Sequence, residues 1–186
     1  MRIIAGTCRR IELEVAEEST TRPFLEMARG ALFNALGDLV VDADALDLYA
    51  GSGALGLEAL SRGAASCLFV ERDRAAFLAL QRNVAKCRMS HAAVCRCSDV
   101  ATALSGLDKS FGLIFVDPPF PELKEWRIGG AAENVMAGIA RSLAPDGVMV
   151  FRLEDGKATP PDWPDLRLDS ERRYGRSRVC RYSRIG

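Results

Sequence analysis

Two short stretches of this sequence carry chemistry in their residue types and spacing. The first is Ile114-Phe115-Val116-Asp117-Pro118-Pro119-Phe120. An apolar strand there hands a carboxylate to the carboxyl edge of a sheet, where open α/β folds bind ligands. Two prolines stiffen the turn and leave two backbone carbonyls without a helix or ladder role. Asp117 and the Pro118 carbonyl can accept the two N–H bonds of an exocyclic amine, with Phe120 stacked on the ring that bears it. An aromatic amine is a poor nucleophile, because its lone pair is delocalised. Acceptors placed out of the ring plane favour a pyramidal nitrogen and stabilise the positive charge developing on it. In-line transfer of a group to that nitrogen then depends on positioning. A base must leave its stack to reach such a site, and an aromatic platform returns about 1–3 kcal/mol of that cost. The blander reading is a rigid turn with a core Phe. The sequence has no Pro-Cys dipeptide, so the cysteine-nucleophile route to carbon-5 methylation lacks its cue.

The second stretch is Asp47-Leu48-Tyr49-Ala50-Gly51-Ser52-Gly53-Ala54-Leu55-Gly56, a full G-x-G-x-x-G between an expected strand and helix. That context suits nucleotide binding. Gly51 and Gly53 let backbone approach a ligand, with Tyr49, Ala50 and Ser52 beside them. Glu71 ends the next strand, where a carboxylate can accept both ribose hydroxyls, and Arg72 follows it. NAD and S-adenosylmethionine (AdoMet) both fit so far. Asp47 favours AdoMet: a carboxylate four residues before Gly51 suits an ammonium and a sulfonium and repels a pyrophosphate. Asp99 and Val100 stand after the third strand. Asp99 either bonds an adenine amino group or caps the helix that starts at Val100.

The elements that must position these residues are legible as alternation. Residues 2–15 read as a hairpin, with Ile11, Leu13 and Val15 facing inward. Thr21-Arg22-Pro23 starts a helix that runs through Phe24, Ala28, Ala31, Leu32, Ala35 and Leu36 and stops at Gly37. Strands are expected at 45–50, 67–71, 93–97, 113–117 and 148–153. Helices are expected at 54–62, after Asp73, at 100–104 and at 132–143, with a turn at Pro145-Asp146-Gly147. Two strands about Tyr174-Gly175 close the chain. This pattern implies a mostly parallel sheet covered on both faces, with an antiparallel edge hairpin.

Composition bounds the rest. The chain has 186 residues, 48% of them apolar, and its 25 basic and 25 acidic residues cancel. That fits one globular domain with a real core. It excludes disorder and a wholesale polyanion coat. No apolar run approaches a membrane span and the start lacks a secretory h-region, so a cytoplasmic protein is expected. Residues 166–186 hold seven arginines against Asp169 and Glu171. They read either as a phosphate-facing surface or as a solvated edge hairpin protected by charge. Six cysteines without a C-x-x-C, and the single His91, argue against a zinc site.

Taken together, these residues resemble the RsmD-type bacterial 16S rRNA (guanine-N2)-methyltransferase family over nearly the whole chain. The resemblance rests on Met1-Arg2-Ile3-Ile4-Ala5-Gly6, Thr21-Arg22-Pro23, Ala31-Leu32-Phe33-Asn34, the stretch from Asp47 to Ala64, Phe69-Val70-Glu71, Asp117-Pro118-Pro119-Phe120 and Tyr174-Gly175. It implies a class I AdoMet-dependent methyltransferase fold: Rossmann-like, seven-stranded, mostly parallel with an antiparallel edge hairpin. It implies AdoMet as donor, and as acceptor the exocyclic N2 of a guanine in 16S rRNA of the small ribosomal subunit. Asp117, Pro118 and Phe120 are then the catalytic set. Residues 1–40 form a hairpin-and-helix extension that docks RNA, with Arg10, Arg22 and Arg29 as contacts. Residues 41–186 form the methyltransferase domain. A cytoplasmic monomer without metal or membrane association is expected. Phe120 stands where the family usually has Tyr, Met27 replaces a basic residue, Gly30 an acidic one, and Arg152 the usual glutamate of the fifth strand. The alternatives are an amine methyltransferase acting on another nucleic acid or a protein, and a non-catalytic AdoMet- or RNA-binding assembly factor.

Overall fold

The computed structural model describes residues 1–16, 26–127, 129–156, 159–163 and 165–185. The expected helix start at Thr21-Arg22-Pro23 lies outside them. Helix α1 (Glu26–Leu36) and a 3-10 turn (Gly37–Val40) precede the alternating part. There β1 (Asp44–Leu48), α2 (Ala54–Ser61), β2 (Ser66–Glu71), α3 (Arg74–Lys86), β3 (Ala93–Cys97) and α4 (Val100–Ser105) follow in order. Next come β4 (Phe111–Val116), a 3-10 turn (Phe120–Glu125), α5 (Glu133–Ser142), β5 (Leu143–Glu154), β6 (Leu166–Tyr174) and β7 (Ser177–Arg184). The helix starts are chemical: Asp73 caps α3 by accepting the Ala76 N–H at 2.8 Å, and Asp99 caps α4 through Thr102 N–H at 2.8 Å.

The seven strands lie in the order β3-β2-β1-β4-β5-β7-β6. All pairs are parallel except those made by β7, which runs antiparallel to β5 and β6. The chain winds one way from β1 to β3 and the other way from β4 onward. The carboxyl ends of β1 and β4 therefore flank the point where strand order reverses, and crevices open at such points. The glycine loop leaves β1 there and the Asp-Pro-Pro-Phe turn leaves β4.

Alternation along each strand divides the core. Ala45, Leu113, Phe115, Val148 and Val150 face α1, α2 and α3. Leu46, Leu48, Ile114, Val116, Met149 and Phe151 face α4, α5 and an aromatic cluster of Trp126, Trp163 and Tyr182. The N-terminal segment is not a regular hairpin. One antiparallel bridge, Arg2–Glu12, and bonds such as Ile3 N–H to Ile11 carbonyl at 3.0 Å hold it. Ile3, Cys8 and Leu13 are buried in the same cluster as Phe33 and Phe69, whereas Val15 is 38% exposed.

The expected turn at Pro145–Gly147 is absorbed into β5. Phe111 pairs with Leu143 but Leu113 pairs with Val148, so residues 144–147 are skipped. Gly56 is required by packing: a Cβ there would lie 2.3 Å from the Phe69 ring and 2.6 Å from Cys67 Sγ. Gly56→Ala is expected to cost about 1–3 kcal/mol, the usual penalty of overfilling a core, read as a lower denaturant midpoint at unchanged slope.

Candidate active site

Asp47 shares its strand face with Ala45 and so points at α2. One of its oxygens accepts the Gly56 N–H at 2.8 Å, and the residue is 1% exposed. Burial pushes its carboxyl well above the usual range, the Gly56 bond opposes this, and the negative charges of Asp117 and Glu71 add to it. Glu71, at the end of β2, accepts Gly51 N–H and Asp73 N–H, each at 2.7 Å. Each carboxylate oxygen retains a lone pair, enough for a ribose hydroxyl.

The loop between them is tight. Tyr49 has φ 60°, Gly51 55° and Gly53 84°. A non-glycine residue held at positive φ next to a crevice stores strain that the surrounding packing must hold. The two glycines differ in purpose. A Cβ at Gly51 would meet open space, whereas one at Gly53 would lie 2.4 Å from Leu80 Cδ1. Gly51 therefore leaves room for a ligand, and Gly53 is fixed by φ and by the core beneath it. Ala50 N–H binds the Val70 carbonyl at 3.0 Å, and the Ser52 carbonyl accepts from Asn83 Nδ2 at 2.9 Å. Asn83, fully buried on α3, also bonds Glu14 backbone on both sides. Sequence reading missed it; its signal is an amide on the same helix face as Leu80 and Val84.

Tyr49, Arg72, Ser98, Asp99 and Val100 line a cavity of about 170 Å³. Of the two readings of Asp99, capping is realised, and the Thr102 N–H holds its carboxyl below the usual range. Capping uses one oxygen, and the residue also borders the cavity. Arg72 reaches across to Glu122 at 2.5 Å and so ties the β2 tip to the 3-10 turn after Phe120.

Asp117 lies one residue past the last registered β4–β5 pair, Val116–Phe151, and so stands opposite Arg152. Arg152 Nε is 2.5 Å from Asp117 Oδ1, with side chains 6% and 17% exposed. Burial pushes the Asp117 carboxyl up and Arg152 pulls it back down, burial being the larger effect. Only one of the two carbonyls expected to be free remains so. The Pro119 carbonyl accepts Glu122 N–H at 2.9 Å, while Pro118 has no such partner among the described residues. Phe120 is half-buried, with the Arg152 guanidinium carbon 5.1 Å from its ring centre. Beyond the turn lies a cleft of about 740 Å³ bordered by Phe120, Lys124, Trp126, Arg127 and Thr159. The Tyr49 and Trp126 rings, 6.0 Å apart, stand between cavity and cleft.

The proposed RNA contacts fare unevenly. Arg10 is exposed at φ 71° in the turn of the N-terminal segment. Arg29 is a correction: it is fully buried, bonds the Arg2 carbonyl and lies 3.9 Å from Glu58. A guanidinium inside the core offers a phosphate nothing, because the chain there packs around the salt bridge. Arg22 lies outside the described residues. The C-terminal arginines are largely paired: Arg167 and Arg181 with Asp169, Arg173 and Arg178 with Asp155, Arg176 with Glu154. Glu154 and Asp155, from the end of β5 and just beyond it, neutralise much of the stripe.

Comparison with known proteins places the chain in a family. A family profile described as conserved hypothetical protein 95 matches residues 1–183. Ribosomal RNA small subunit methyltransferase D of Haemophilus influenzae is 33% identical over 173 residues, covering 90% of this chain and 86% of that protein. The chain belongs to the RsmD-type methyltransferase family. The protein of the same name from Escherichia coli (strain K12) is 42% identical over 120 residues, 64% of this chain, and the match spans 60% of that relative's length. Among solved structures, yhhF of Escherichia coli, a candidate methyltransferase, superposes with a TM-score of 0.83 at 33% identity, covering 99% of this chain and 97% of that one. The sheet order 3-2-1-4-5-7-6 and this structural likeness give the class I methyltransferase fold that was expected. Among the described residues no helix is long and apolar enough to cross a membrane, and no group of three or more His, Cys, Asp or Glu is placed to hold a metal.

Proposed function

We propose that this protein transfers a methyl group from AdoMet to the exocyclic N2 of a guanine in 16S rRNA of the small ribosomal subunit, acting as a cytoplasmic monomer. The observation that carries this reading is the placement of Asp117 at the strand-order reversal, beside the glycine loop and next to an aromatic-lined cleft. The relatives' names supply the RNA class. The residues present fit AdoMet. Asp47 and Glu71 place carboxyl groups beneath a cationic ligand, Gly51 leaves space, and Tyr49, Asp99 and Val100 border a cavity of adenine-like size. When bound, AdoMet supplies an electrophilic methyl on a sulfonium.

The chain's own residues do the rest. Asp117 and the Pro118 carbonyl accept the two amine N–H bonds and turn the nitrogen lone pair toward the donor. Phe120 stacks on the base and Asp117 takes the released proton. Lys124 and Arg127 face the cleft and suit flanking phosphates. Residues 1–40, with Arg10 exposed on them, extend the RNA-docking face.

Asp47 gives a pH dependence. Its carboxyl is raised in the free protein, and a cation favours its charged form, so AdoMet binding releases protons where Asp47 is partly protonated. Affinity is expected to rise with pH and level off above the raised value. Calorimetry in two buffers of different ionisation enthalpy reads the released protons; equal heats in both would contradict this. The function itself is tested by mass spectrometry of nucleosides from small subunits and from free 16S rRNA, before and after incubation with protein and AdoMet. New N2-methylguanosine supports it. A different methylated nucleoside, or donor binding without turnover on either substrate, sinks it.

A further inference from the structure

Asp117 and Phe120 share a partner that lies outside their motif. Arg152 approaches Asp117 with Nε at 2.5 Å, stands over the Phe120 ring at 5.1 Å, and reaches Ser177 Oγ with Nη1 at 3.5 Å. We propose that Arg152 is a positioning residue of the methyl-transfer site: it fixes one oxygen of Asp117 so that the other faces the acceptor amine, keeps that carboxylate anionic, and seats the Phe120 ring. This rests on the reading of Asp117 as the amine acceptor.

The physical case has three parts. A carboxylate following a strand can rotate about both of its side-chain torsions, and one charge-assisted bond to a buried guanidinium fixes it. The ring that must stack on a base is held from one side by a flat cation, a contact lysine reproduces poorly because it lacks the planar fork. The third part is charge. Asp117 faces Arg152 from β5, while the charges of Asp117 and of Glu71 on β2 act on Asp47 of β1. Burial favours a protonated Asp117, which accepts hydrogen bonds poorly, and Arg152 opposes it. A purely structural ion pair would leave the pH profile of turnover in place, since breaking a buried pair chiefly lowers stability.

The experiment uses Arg152→Met and Arg152→Lys in the full chain. In R152M, the acidic limb of the kcat/KM profile on the rRNA substrate is expected to move up by about 1 pH unit or more, the usual reach of a lost neighbouring charge. In R152K the limb returns toward its parental position, because the charge is restored, while KM for RNA stays raised. A second readout needs no turnover: the carbon-13 titration of the Asp117 carboxyl, assigned with Asp117→Asn. Its midpoint rises in R152M and returns in R152K. If R152M does not fold, the R152K profile and titration carry the test: a parental limb with raised KM supports the proposal, and parental kinetics in every respect overturn it. A limb and midpoint unchanged in folded R152M also overturn it. A parent protein that methylates no RNA overturns the proposed function instead, while the titration still decides whether Arg152 keeps Asp117 charged.

Discussion

Replacing Asp117 with alanine is expected to lower kcat by about 10²- to 10³-fold, the usual cost of removing one preorganised group from a charged transition state, and to leave AdoMet affinity within a few-fold. The division follows from position. Asp117 belongs to the β4 turn, which the proposed function puts on the acceptor side, whereas Asp47 and Glu71 hold the glycine loop through Gly56 and Gly51. Alanine also leaves Arg152, 6% exposed, beside an empty space. A buried charge stripped of its partner costs about 3–5 kcal/mol, so stability must be measured alongside turnover. Asp117→Asn separates the two effects. It keeps the shape and one acceptor oxygen but loses the charge, and is expected to be nearly as inactive as alanine with a smaller drop in stability. Calorimetry showing that D117N loses donor binding as severely as turnover would falsify the assignment of Asp117 to the acceptor side.

The largest stability effect is expected far from the crevice. Glu58 is fully buried on α2 and accepts Ile4 N–H at 2.8 Å, Ala5 N–H at 3.1 Å and Arg62 Nε at 2.7 Å, with Arg29 Nε at 3.9 Å. It thereby clamps the N-terminal segment to the domain and balances a guanidinium that burial already pushes toward deprotonation. Glu58→Ala leaves two backbone donors and the Arg29 charge uncompensated in the core. About 3–5 kcal/mol of stability is expected to be lost, read from the denaturant midpoint. Adding Arg29→Met to Glu58→Ala removes the stranded charge and is expected to recover part of that loss, a non-additivity that touching groups show and distant ones do not. Strict additivity would mean that Glu58 acts through the backbone donors alone.

Much of this architecture is written locally. The strand–helix alternation, the caps at Asp73 and Asp99, the glycine loop and the Asp-Pro-Pro-Phe turn depend on period, capping and proline geometry over a few residues. For that reason their positions agree closely with the structure. Arg29 misled because a surface arginine and a buried, paired one look alike in a helix; the difference lies in Glu58, 29 residues away in sequence. The arginine-rich end left two readings open for the same reason, since Glu154 and Asp155 meet it only once β5 and β7 pair.

Arg152 shows most clearly where sequence stops. It stands opposite Asp117 only because the β4–β5 ladder skips residues 144–147, a shift that periodicity does not encode. The sequence by itself determined which groups exist to do chemistry and which strand ends carry them, because those follow from local backbone preferences. The tertiary structure alone decided which of those groups touch, since cross-strand register and burial arise from the packing of distant segments.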